Sequence, residues 1–137
     1  MKFPCLTLEQ LKPLEKEFVS FLIVNGVEGD AWKLINETAP QKASELVELF
    51  SQLVWEKILQ ETHYVKRFSE NERIVAYLGD KVGILIVAQN NTGQLSLHKG
   101  TKQWMKNREE EVMDLLTQGF ERTSEEEFNA LNELIKS

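Results

Sequence analysis

Apolar residues recur along this chain first at helical spacing, then at a spacing near two, then at helical spacing again. Thr7, with Gln10 three positions on, makes a capping-box pattern in which each side chain satisfies an orphan backbone amide. Pro13 cannot donate inside a helix, so the main first helix is expected to begin there, with Pro13 as its first residue. Leu14, Phe18, Phe21, Leu22 and Val24 carry that helix to the terminating pair Asn25-Gly26. Asp30 is expected to cap a short helix bearing Trp32 and Ile35, which Thr38-Ala39-Pro40 ends because a residue before proline is pushed out of the helical region. A third helix, roughly 40–61, places Ala43, Leu46, Val47, Phe50, Leu53, Val54 and Ile58 on one stripe that Leu49, Trp55 and Leu59 widen. So wide a stripe implies cover from more than one side, and this helix is expected at the centre of the domain.

After His63 the period shortens. Tyr64, Lys66 and Phe68 alternate, and two apolar runs follow, Ile74 to Leu78 and Val82 to Gln89, divided by Gly79-Asp80, which suits a type II′ hairpin turn. Residues 82–88 carry no polar side chain, so that strand shows apolar groups to both sides of its sheet and needs cover on both faces. Asn90-Asn91-Thr92-Gly93 reads as a loop, and Gln94 to Leu97 as a short further strand. Thr101 is expected to cap a short helical segment with Trp104 and Met105. A helix with Val112, Met113, Leu115 and Leu116 follows, closed by Gly119. Ser124 and Glu127 form a second capping box, opening a terminal helix whose apolar face is Phe128, Leu131, Leu134 and Ile135. The pattern as a whole predicts a single α+β domain, 1–137, with helices packed on a small antiparallel sheet of about three strands around a central hairpin, 74–89.

Composition narrows the function classes. The 137 residues suffice for one domain with its own core, and the longest uncharged apolar runs fall well short of the roughly 20 residues that cross a bilayer. One cysteine, Cys5, excludes an internal disulfide, and the first residues lack a signal-peptide pattern, so the chain reads as cytoplasmic with no membrane association. A net charge of -6 argues against a protein that coats nucleic acid. The charge is uneven, however: between His98 and Arg108 lie Lys99, Lys102, Lys106 and Arg108 without an acid, whereas acids dominate from Glu109 onward.

Candidate chemistry is sparse. Cys5, His63 and His98 are far apart and isolated, which predicts no metal site, and no cofactor motif is present. Cys5 is expected to be a small buried hydrophobe. Glu109-Glu110-Glu111 and Glu125-Glu126-Glu127 read as solvated first turns of helices rather than acid–base pairs. Walker-type and dinucleotide-binding glycine loops are missing. The segment His98, Lys99, Lys102, Trp104, Lys106 and Arg108 is the one place that combines positive charge with an aromatic face, and Gly100-Thr101 at a helix N-terminus would present amides to an anion. The competing reading is a solvated basic face with Trp104 packed inward.

The order of residues also resembles a known family. Leu6-Thr7-x-Glu9-Gln10-Leu11, Glu17-Phe18-x-x-Phe21-Leu22, Trp32, Pro40, Phe50-Ser51-x-Leu53-Val54-Trp55-Glu56 and Tyr64-Val65-x-x-Phe68-Ser69 are similar to an uncharacterised bacterial family of short stand-alone proteins of the Bacteroidetes group. The resemblance covers roughly residues 6–90 and implies no catalytic or binding residue. Relatives sometimes labelled histidyl-tRNA synthetase lend this chain nothing, since it lacks nucleotide-binding motifs.

Three functions follow as expectations. The first is a non-enzymatic soluble protein acting by association, as a homodimer or with another protein, because the two-sided apolar strand needs more cover than few helices supply. The alternative is binding of nucleic acid or an anionic ligand through residues 98–108. A third is a small enzyme with a carboxylate-lined pocket.

Overall fold

The computed structural model describes residues 3–136, which divide into two compact units, 3–57 and 58–136. The fold is α+β.

The first unit is helical. Thr7 and Gln10 make the reciprocal capping box, and it opens a single turn, α1 (Leu8–Leu11). Pro13 then lies in a 3₁₀ turn, Lys12–Leu14, and α2 (Glu15–Val24) begins after it. The main helix thus starts two residues later than expected, because the proline ring fits the tighter turn better than a continuous α-helix. Gly26, at φ +79°, closes α2, and α3 (Asp30–Thr38) has Gly29 rather than Asp30 at its cap position. The long helix α4 (Pro40–Glu61) follows, and the division between units falls within it.

Phe18 is the hub of this unit, with Trp32 edge-on at 5.2 Å and Phe50 at 5.0 Å, while Phe21 also meets Phe50. Such pairs add roughly 0.5–1.5 kcal/mol each to what burial alone provides. On α4, Leu49 and Leu53 remain about half exposed whereas Leu59 is fully buried, so the broad stripe is covered only in part. An extended N-terminal segment lies along α4. The Gln52 amide accepts from Phe3 N and donates to Phe3 O, Ser51 Oγ accepts from Leu6 N, and Trp55 Nε1 donates to Pro4 O. These bonds explain the fully buried Ser51, whose hydroxyl also donates to Val47 O.

The second unit is built on an antiparallel sheet of five strands rather than about three: β1 (Tyr64–Phe68), β2 (Glu72–Leu78), β3 (Val82–Asn91), β4 (Gln94–Gln103) and β5 (Glu121–Arg122), in the order β4-β3-β2-β1-β5. Its helices are α5 (Arg108–Thr117) and α6 (Glu125–Lys136). The β2–β3 turn pairs Gly79 with Val82 through Gly79 N to Val82 O, leaving Asp80-Lys81 at the tip and no positive φ. That corrects the type II′ expectation. Gly79 is required by crowding instead, since a Cβ there would lie 2.8 Å from Val82 O. The next turn is the primed one, with Thr92 (φ +53°) and Gly93 (φ +84°) at its tip.

Both faces of β3 are used. Ile84, Ile86 and Ala88 pack on α6 with Val75, Phe128, Leu131 and the Tyr64–Tyr77 pair. Full burial of side chains such as Phe128 and Leu131 contributes about 1.5–3 kcal/mol each. The opposite face carries Val65, Ile74, Ala76 and Leu78, all buried, and Gly83 beneath the Trp104 ring. Arg67 and Lys102, on this same face, reach Gln118 O and Glu111, which places α5 across it. Cover thus reaches both faces within the second unit, while Leu85 and Val87 of β3 stay half-buried on the α5 face.

Candidate functional site

The segment expected to form a helix from Thr101 continues as β4 to Gln103, in unbroken register with β3 from Asn91–Gln94 to Val82–Gln103. Leu95, Leu97, Lys99 and Thr101 thus alternate in direction with Ser96, His98, Gly100 and Lys102 along the strand. Gly100-Thr101 is thus mid-strand and cannot serve as the anion cradle of a helix N-terminus. Met105 lies in the following turn, 91% exposed, not on a helix.

β4 is an edge strand. Trp104 N donates to Lys81 O, continuing the β3–β4 ladder by one position. Backbone direction alternates along an antiparallel strand, so the even-numbered residues of β4 point their amides at β3. Leu95, Leu97, Lys99, Thr101 and Gln103 therefore direct their N–H and C=O groups away from the sheet. Among the described residues no strand pairs with that side.

The basic residues are distributed along and beyond this strand. His98 and Lys102 project to the α5 face and Lys99 to the α6 face, all exposed. Lys99 Nζ donates to Asn132 Oδ1 at 3.1 Å, an amide rather than a carboxylate. Lys102 lies 3.6 Å from the buried Glu111, whose other oxygen accepts from the backbone amides of Met105 and Lys106. Lys106 donates to Asp114 at 2.8 Å, and this bond holds the Lys106 ammonium above its ordinary pKa. Trp104 is half-buried on Gly83 with Nε1 donating to Gly79 O at 2.9 Å.

Arg108 is structural: its guanidinium donates to the carbonyls of Leu59, Thr62 and Leu78, binding the last turn of α4 to β2. A charged donor satisfying several orphan carbonyls is worth about 1.5–3 kcal/mol per bond. The structure brings His98, Lys99 and Lys102 onto one strand, and gives Trp104, Lys106 and Arg108 partners of their own. An open hollow of about 560 Å³ lies beside Asp80, Lys81, Trp104, Lys106 and Arg108; Lys106 there is held by Asp114 and Arg108 by backbone carbonyls.

Other candidates stay apart. Cys5 is exposed, not buried, and its sulfur accepts from Ser51 Oγ on α4 at 3.7 Å. His63 is exposed, and its carbonyl accepts from Leu78 N. Among the described residues no three His, Cys, Asp or Glu side chains gather as metal ligands, and no helix is long and apolar enough to cross a membrane.

No curated protein and no solved structure matches the chain. Residues 1–88, which end within β3, match the family of unknown function DUF6495, and the chain belongs to that family.

Proposed function

We propose that this is a soluble, cytoplasmic bacterial protein that acts by association, and that its working surface is the outer edge of β4, where an extended segment of another polypeptide adds as a further strand. The observation that carries this reading is the unbroken ten-residue register of an edge strand with no proline and no bulge. Edge strands are ordinarily blunted by those devices or kept short, because their unpaired backbone groups are a template for pairing. Where such an edge is long and regular, main-chain bonding supplies affinity and alternate side chains supply selectivity.

The test is a single proline. Thr101→Pro removes an outward amide at a position where the ladder to β3 loses nothing, which edge strands tolerate. Tagged protein expressed in its native host is expected to migrate in gel filtration as a complex, and the Thr101→Pro protein at the mass of the free chain with an unchanged circular-dichroism spectrum. Equal migration of the two would end the reading.

A further inference from the structure

The partner strand has a definable chemistry. Resting on the edge reading above, we infer that β4 receives an antiparallel extended segment that is acidic in its first half and apolar in its second. Within 94–103 there are two lysines, Lys99 and Lys102, one histidine, His98, and no acid. The other end of the strand carries Leu95, 62% exposed, and the half-buried Leu97, both on the α6 face. An antiparallel partner begins opposite Lys102 and ends opposite Leu95, so its acids come first.

A second copy of β4 fits poorly. Antiparallel self-pairing about a two-fold axis sets Lys99 against Lys99 when centred there, His98 against His98 when centred one residue earlier, and His98 against Lys102 when centred on Gly100. The two registers that pair nine of the ten residues therefore set Lys99 or His98 against its own copy, and like charges directly opposite are destabilising in cross-strand pairs. Opposite charges at the same positions are favourable by a similar amount.

Gly100 is a separate pointer to a partner. It lies mid-strand without positive φ, and a Cβ placed there would meet nothing within 4 Å. The chain's own packing has no use for a glycine at this position, and interior strand glycines often mark close approach by another backbone or ligand.

The experiment uses the full chain and three synthetic peptides matched to the ten residues of β4: one with glutamates at the positions opposite Lys102, Lys99 and His98, valines opposite Leu97 and Leu95, and threonine elsewhere; the same with lysine for glutamate; and the same with threonine for glutamate. Binding is read by fluorescence anisotropy at low and high salt. The acid-first peptide is expected to bind, to weaken as salt rises, and to lose about tenfold in affinity with the Lys99→Glu, Lys102→Glu double variant. It is expected to lose at least about tenfold with Thr101→Pro.

Equal binding of the uncharged peptide, abolished by Thr101→Pro, would overturn the acidic partner and leave the edge reading standing. Binding of the acidic peptide that survives Thr101→Pro would overturn both. So would failure of every peptide together with gel-filtration behaviour unaffected by the proline. A dimer seen by sedimentation and lost in Thr101→Pro would replace the acidic strand with a second copy. Single-stranded oligonucleotide binding that the lysine reversal abolishes and the proline leaves intact would likewise overturn the inference.

Discussion

At one margin of the sheet β5 adds two residues to β1, and the chain around it closes what remains; at the other, β4 runs ten residues and the described chain adds nothing beyond it. The β5 side is finished by side chains. Arg67 lies over the Phe120 ring at 4.8 Å and donates to Gln118 O, Thr123 N reaches Tyr64 O, and Phe68 has Lys66 and Arg73 each 5.2 Å from its centroid. The β4 side has only charge to discourage pairing. One edge is thereby part of the core, and the other is a surface whose substitution should matter little to folding.

The largest effect that follows is at the covered edge. Phe120 is 6% exposed, and Phe120→Ala leaves a void below Arg67, so urea unfolding is expected to lose about 3–5 kcal/mol. A loss under about 1 kcal/mol would mean the β5 margin is no better anchored than β4, and the contrast would fail.

Two strand glycines on the same face sharpen it. A Cβ at Gly83 would lie well inside contact distance of the Trp104 ring, so Gly83→Val must displace that indole and break its bond to Gly79 O. The expected loss is about 1–3 kcal/mol. Gly100→Val, on the neighbouring strand with open space around it, is expected to raise stability by about 0.5–1 kcal/mol, because valine suits a strand and narrows the unfolded ensemble. The same change should lower strand binding at the edge. Equal stability effects at the two positions would show that β4 is packed in a way the edge reading denies.

The contrast also explains why some elements are legible in the residues alone and others are not. The helices of the first unit and the apolar strands 74–78 and 82–89 can be read because burial selects apolar residues at a fixed period. β4 cannot, since an edge strand exposed along most of its length has no apolar face to read. Lys99, Thr101 and Lys102 suit a helix start as well as a strand, and pairing with β3 over ten positions decides the matter. β5 is too short to carry any pattern. The basic cluster 98–108 is visible as composition, but which of its charges stay open depends on Asp114 and Glu111, placed by α5, and on carbonyls freed at the end of α4.

A smaller gain is expected at the tip that starts the open edge. Thr92 holds φ +53°, a left-handed conformation that its branched Cβ disfavours. Thr92→Asn is expected to stabilise the protein by about 0.5–1 kcal/mol in thermal or urea unfolding, since asparagine adopts that region readily. With the turn relaxed and β4 unchanged, strand binding should not move; a change in binding would mean that the hairpin tip itself touches the partner.

The least effect compares two lysines that reach the same helix. Lys66, on β1 beside β5, meets the carboxylate of Glu127 at 2.9 Å, whereas Lys99, on β4, meets the amide of Asn132. The bond from Lys66 holds the Glu127 carboxyl below its ordinary value of 4.5. A carboxyl whose folded pKa is depressed stabilises the fold above its unfolded pKa, and that contribution disappears as pH falls through the folded value. Because both side chains are partly open to solvent, the pair is worth under about 1 kcal/mol and less in high salt. Glu127→Gln is therefore expected to be slightly less stable than wild type near neutrality and to converge with it once the carboxyl is protonated, as read by urea unfolding across the acid range. Lys99→Gln, which removes no carboxylate partner, should leave the acid limb unchanged. If instead Lys99→Gln flattened that limb and Glu127→Gln did not, the charge at the open edge would be tied to the fold, and the two margins would not differ as described.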